Sequence, residues 1–570
     1  MRIERSRLWF LPAALLAVVV TGAGRAAPAP EPPASAALRF GAFLAGRHAQ
    51  EDREYADAAA FFTQALRSDP DSPELLSRTF LMEAYEGRFA EARPLAAREL
   101  RLDSTDSVAD LVLLIDRVKA GDKKGALARA EALPADGLYR YARPPAVAWL
   151  RMAGGDLAGA VAALQGLDRF DGLSPLKYFQ QGLLYDFAGQ PATAEENFKK
   201  TVEETGQVNW RVTDAMANFY ERHGRNDEAA EIYRRFSKDN AGSELAESVL
   251  GGKSGGAPRP IILSAEDGLA EAFFDLASVV NRPETVDLAL FYARCALAMR
   301  PQLEVAQLLL SDILAGDDKT RDSLAALQQI PAGSRYFWSS QLRIAANLDS
   351  LGRSDEAIAM LQRMAAQEPN RATAEMQLGD LLREKKRFVE AADAYSEAIR
   401  RLRAAATPER WSLFYSRGIA LERAGQWQKA ETDLLHALKL KPDQPLVLNY
   451  LGYSWIDRGA HLHRGLQMIE KAVDLRPEDG YIVDSLGWAH YRLGDYRTAV
   501  QYLEKAVELV PNDPTINDHL GDAYWQSGRL IEARYQWRRA LQFGPEKDDV
   551  KPIEGKLARG MPAPARANGG

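Results

Sequence analysis

The chain has 570 residues, 46% hydrophobic and 26% charged, which supplies apolar material for an extensive core and is too much for a disordered polymer. Its 72 Lys and Arg against 79 Asp and Glu give a formal charge of -7, and no basic block interrupts that balance, so an electrostatic nucleic-acid surface is excluded. A single cysteine, Cys295, leaves no intramolecular disulfide and no multi-cysteine metal centre.

At the N-terminus, Arg2, Arg5 and Arg7 precede the apolar run Leu8 to Val20, and an Ala/Pro-rich stretch follows through Ser35. This layout predicts a secretory signal peptide over residues 1–29, since the run falls short of the roughly 18 apolar residues that span a bilayer. No cysteine stands near the cut to accept a lipid. The expected product is an exported, periplasmic chain without an integral membrane segment, with peripheral attachment to an envelope complex left open.

Helical periodicity begins at once. Gly46, Ala58, Phe62 and Ala65 precede Pro70; Gly182, Tyr185, Ala194 and Phe198 repeat that order, and Tyr220, Ala229 and Tyr233 echo it. The stretches around Ala92, Ala126 and Ala160 keep the helical period with fewer of the letters. From Asn240 to Ser264 the glycines 242, 251, 252, 255 and 256, with Pro258 and Pro260, forbid a continuous helix. We expect a linker over 240–267 between an N-terminal degenerate solenoid (30–239) and a C-terminal solenoid (268–545).

The C-terminal part is the most regular. Pro442, Pro477, Pro511 and Pro545 are spaced 35, 34 and 34 residues apart. At matching phase stand Leu451-Gly452, Leu486-Gly487 and Leu520-Gly521, then Ala499 and Ala533, then Ala506 and Ala540; weaker copies lie around Ala345 to Leu361, Leu378 to Ala398 and Gly418 to Ala437. The period and the columns resemble the tetratricopeptide repeat (TPR) family. That resemblance implies an all-α fold, a TPR α-solenoid of antiparallel helix pairs wound into a right-handed superhelix, with roughly 14 repeat lengths including degenerate ones. A smaller insertion is expected from Arg401 to Pro408, and a capping segment with a disordered tail over 546–570.

No catalytic signature is present. Gly252-Lys253-Ser254 lacks the first glycine of a P-loop, where Glu247 stands. His461 and His463 are adjacent turn residues without further ligands, and Cys295 reads as a small buried hydrophobe. Enzyme activity, cofactors and bound metals are therefore not expected.

In TPR domains the first helix of each pair faces a concave groove. Carried onto the well-phased copies, this implies that Tyr415, Asn449, Asp484 and Asp518 occupy one row, Tyr453, Trp488 and Asp522 a second, and Tyr491, Trp525 and Arg492 the edge. Such a ladder suits an extended peptide of a partner protein. Alternatives stay open: Trp488 and Trp525 pack against the second helix of the next repeat, and Asp484 and Asp518 cap helices. The run Gly480 to Trp488 and the run His519 to Trp525 resemble exported TPR adaptors that recruit C-terminal processing proteases to cell-wall hydrolases. The implied function is a non-catalytic scaffold or adaptor; the alternative is a structural bridge in polysaccharide export or secretion machinery.

Overall fold

In a computed structural model, residues 34–562 are described apart from 136, 138, 206–208, 241, 242, 244, 246–257 and 403–409. The expected signal peptide, the centre of the expected linker, most of the insertion after Arg401 and the expected disordered tail lie outside the described residues. Within them the chain is all α, with twenty-nine α-helices and no strand; taken in order, these make fourteen successive pairs and one terminal helix.

The helix ends follow the sequence. Asp513 accepts the amide of Ile516 at 2.9 Å ahead of helix Pro514–Gln526, where the proline occupies a position that needs no amide. Helix Gly480–Arg492 is capped by Asp479, and Gly494 and Gly528 take φ near 82° and 83° in the turns that follow the first helices. Helices Leu462–Leu475, Tyr496–Leu509 and Leu530–Gln542 each stop short of the next proline.

One steric rule runs through the pairs. A Cβ built on Gly521 would meet Trp537 at 2.5 Å, on Gly487 it would meet Leu503 at 2.6 Å, and on Gly379 it would meet Tyr395 at 2.6 Å. Gly182 and Phe198 (2.6 Å) and Gly46 and Phe62 (2.8 Å) repeat the arrangement. Each of these five glycines is thus a seat for the large side chain sixteen positions later on the second helix. Phe62, Phe198, Tyr395, Leu503 and Trp537 are buried there, and burial of each side chain contributes about 1.5–3 kcal/mol or more.

The chain divides into two compact units between Val112 and Leu113, inside helix Ser107–Lys119. In the first, helices Ala34–Glu51, Tyr55–Ser68, Pro73–Glu86 and Phe89–Leu102 follow one another, with Ser77 donating to Glu99 at 2.6 Å and Tyr55 edge-on to Tyr85. The second unit holds all later helices.

The expectation of separate solenoids on either side of 240–267 is corrected. Helix Ala265–Val280 begins inside that span and packs back on helix Arg143–Ala153, where a Cβ on Gly268 would meet Trp149 at 2.2 Å. The reason is a buried polar cluster. Arg211 donates to both oxygens of Glu271 at 2.5 and 2.7 Å and to Asp214 at 3.1 Å. Asp214 also accepts from Tyr336 at 2.7 Å and pairs with Arg335. Trp149 donates to Gln180 at 2.6 Å, and Gln180 donates to Asp275 at 2.5 Å. Burial and then the Glu271 charge push the Asp275 carboxyl far above its ordinary range, and beside it Arg211 and Arg335 face Glu271 and Asp214. Side chains from both sides of the expected linker therefore satisfy one another.

Candidate functional site

First helices of neighbouring repeats touch along the array: Pro445–Asp457 meets Gly480–Arg492, which meets Pro514–Gln526. Second helices pack on their own first helix and on the first helix of the next pair. The first helices therefore line the inner side of this stretch, and the expected groove residues lie along it.

Tyr415 is half-buried and edge-on to Tyr450, with ring centres 5.9 Å apart. Burial raises the Tyr415 hydroxyl to about 12, and burial followed by the Asp484 and Asp457 charges raises Tyr453 to about 12, so both stay protonated donors. Tyr450 donates to Glu422 at 3.1 Å. Asn449 is half-buried, and its carboxamide oxygen is shut off from solvent without a partner. Arg492 pairs with Asp457 of the preceding repeat.

Trp488 stacks on Tyr491 (4.6 Å, 14°) and on His519 (3.9 Å, 17°). It therefore packs on the first helix of the next repeat and not on the second, as one reading expected. His519 in turn lies 3.0 Å from both oxygens of Asp484. Burial would lower the imidazole pKa, but the Asp484 charge and hydrogen bond outweigh it and the net shift is upward. Asp484 is thus neither a cap nor an open ligand group.

Asp518, Asp522 and Trp525 also depart from expectation, because the chain's own C-terminal helix Lys547–Arg559 covers them. The Lys556 ammonium donates to Asp518 at 2.8 and 3.0 Å and to Asp522 at 2.7 Å. Asp522 further accepts the Trp537 indole at 2.8 Å. Its burial, with Asp518 beside it, raises its carboxyl to about 6. Trp525 donates to the carbonyl of Met561 at 2.9 Å. The last repeat is closed by Lys556, and the same C-terminal segment reaches back to Lys386, which donates to Glu546 at 3.1 Å.

Sequence reasoning missed His519, Tyr450 and Lys556. A signal existed for the first: Asp457 and Arg492 stand one repeat length apart and meet, and His519 stands one position past the residue in phase with Asp484, so first-helix side chains of adjacent repeats come together. Lys556 lies in no repeat and carried no such mark. Cys295 is buried as expected, and burial pushes its thiol far up. His461 lies against Trp455 with ring centres 4.9 Å apart. Among the described residues no group of three or more His, Cys, Asp or Glu could hold a metal ion, and no helix is long and apolar enough to cross a membrane.

The chain carries tetratricopeptide repeats: the tetratricopeptide repeat family model matches residues 43–107, 342–407, 397–445 and 485–548. A TPR repeat-containing protein of Pseudomonas aeruginosa is 30% identical over 184 residues, 31% of this chain, and the match spans 30% of that relative's length. Among solved structures, Cut9 with Hcn1 from the APC/C is similar over 93% of this chain and 97% of its own, at 16% identity and a TM-score of 0.37. Yeast Tom70 is similar over 92% and 95%, at 14% identity and a TM-score of 0.35. MamA from Desulfovibrio magneticus covers 31% of this chain and 97% of its own, at 22% identity and a TM-score of 0.27. TPR arrays in general are scaffolds for protein–protein interaction.

Proposed function

We propose that this chain is a non-catalytic scaffold that holds an extended segment of a partner protein against the inner face between Tyr415 and Tyr491. The observation that carries the reading is the set of half-buried side chains Tyr415, Asn449, Tyr453 and Trp488 on first helices that line the inner side of this stretch. The rings of Tyr415, Tyr453 and Trp488 would take successive side chains of an extended peptide laid along these helices. Residues 1–29 support export, and the resemblance around Gly480 to Trp488 supports an adaptor that brings a protease or cell-wall hydrolase to its target in the periplasm.

Two measurements test this. An alkaline phosphatase fusion at the C-terminus is active in intact cells if the chain is exported, and inactive if it is not. Capture from an envelope extract by the parent and by Asn449→Ala/Tyr453→Ala should yield a partner retained by the first and lost by the second. Identical captured sets would move the binding surface elsewhere.

A further inference from the structure

A second feature lies far from the groove and is independent of it. Helices Lys123–Ala132, Arg143–Ala153 and Leu157–Leu164, with the 3-10 turn Gln165–Arg169, border a recess of about 530 Å³ that opens to solvent. Four arginines line it, Arg140, Arg143, Arg151 and Arg169, against one carboxylate, Glu131. Glu131 is already engaged by Arg151 at 2.8 Å. The Arg140 guanidinium lies over the rings of Tyr141 (4.9 Å) and Phe170 (5.1 Å) and donates to the Tyr141 hydroxyl at 2.8 Å. Its Nε is buried and has no hydrogen-bond partner. Among the described residues, Arg143 and Arg169 form no ion pair or hydrogen bond.

This arrangement is expensive as it stands. Several cations share one recess, a buried N–H donor is unmet, and the rest of the chain is net acidic. Arg211 and Arg417, by contrast, are matched, the first by Glu271 and Asp214 and the second by Asp433. Guanidinium groups present paired N–H donors whose spacing fits oxyanions, and a recess lined by one sign of charge concentrates the opposite sign.

We propose that this recess is a binding site for a compact phosphate-class anion, held by Arg143 and Arg169 beside the ring-packed guanidinium of Arg140. Arg140 is fixed by its two aromatic neighbours, which removes much of the entropy a free arginine would lose on binding. The phosphate is either free in solution or carried on a lipid headgroup, and the recess recognises the same oxygens in both.

The probe is inorganic pyrophosphate, titrated calorimetrically into the full chain in chloride buffer of matched ionic strength. The parent, Arg143→Gln/Arg169→Gln and Glu131→Gln are compared, with circular dichroism to show equal helicity. The parent should bind one pyrophosphate per chain. The double variant should bind at least about tenfold more weakly, and Glu131→Gln should bind as well as the parent or better, because the recess loses its opposing charge. Flotation with vesicles containing phosphatidic acid distinguishes the sources: association of the parent that the double variant loses, without pyrophosphate binding, assigns a headgroup. Equal pyrophosphate affinity of parent and double variant overturns the site. So does a parent that binds neither pyrophosphate nor the vesicles.

Discussion

Arg211 and Glu271 form a two-pronged buried ion pair at 2.5 and 2.7 Å, although sixty residues separate them in the chain. Both side chains are almost wholly removed from solvent, so each guanidinium bond is charge-assisted and unscreened. The pair joins helix Trp210–Arg222, upstream of the Gly- and Pro-containing segment, to helix Ala265–Val280 after it. That segment interrupts the repeat period without separating two bodies.

This gives a direct expectation. A protease site inserted between residues 246 and 257, once cut, should leave two fragments that co-elute on size exclusion as one particle. Glu271→Gln removes one charge of the buried pair and should destabilise this region by about 3–5 kcal/mol, read as an earlier unfolding transition, and should loosen the cut complex. Fragments of the cut parent that separate freely would contradict the packing of Gly268 on Trp149.

Trp537→Ala empties the seat above Gly521 and leaves Asp522 without its indole donor. Loss of a buried aromatic costs about 3–5 kcal/mol. Because each repeat leans mainly on its neighbours, amide exchange should accelerate from Tyr496 to Arg559 and stay at parental rates near Trp149.

Lys556→Ala removes the cation shared by Asp518 and Asp522. With two carboxylates left facing each other, the terminal helix should fray and lose about 1–3 kcal/mol, visible as faster exchange over Lys547 to Arg559. The Asp522 carboxyl, held near 6 with the lysine present, should titrate higher still in the variant, as followed by carboxyl NMR shifts. An unchanged titration would show that Lys556 does not reach it in solution.

The Asp484–His519 pair predicts a pH dependence. The imidazole pKa in the folded chain is raised above its reference of 6.5, so the folded state binds the proton more tightly than the unfolded state does. The stability it contributes is complete below pH 6.5 and is lost as pH rises through the higher folded value. Melting temperature should therefore fall across that window in the parent, and the fall should be shallower in Asp484→Asn.

Most of the fold was legible because the repeat columns are local. Gly487 and Leu503, or Gly521 and Trp537, lie within one helix pair, so period and spacing alone reveal their contact. Gly268 obeys the same steric rule, but the ring it seats is Trp149, more than a hundred residues upstream, and no periodicity marks that distance. The groove was legible only in part for a related reason. Phase placed Tyr415, Asn449 and Tyr453 on the inner side, but it carried no information about what lies over them, and Lys556 arrives from outside the repeats to occupy Asp518 and Asp522.

The glycine seats have a consequence for how such a chain can change over generations. Where seat and side chain belong to one pair, as with Gly379 and Tyr395 or Gly487 and Leu503, the unit carries its own complementarity, and duplicating or deleting a whole unit of about 34 residues leaves no misfit inside it. From Arg143 to Tyr336 that freedom is gone, because Trp149, Gln180, Arg211 and Asp214 find their counterparts on later helices. Natural length variation among relatives should therefore gather downstream of Tyr336 and avoid the stretch before it.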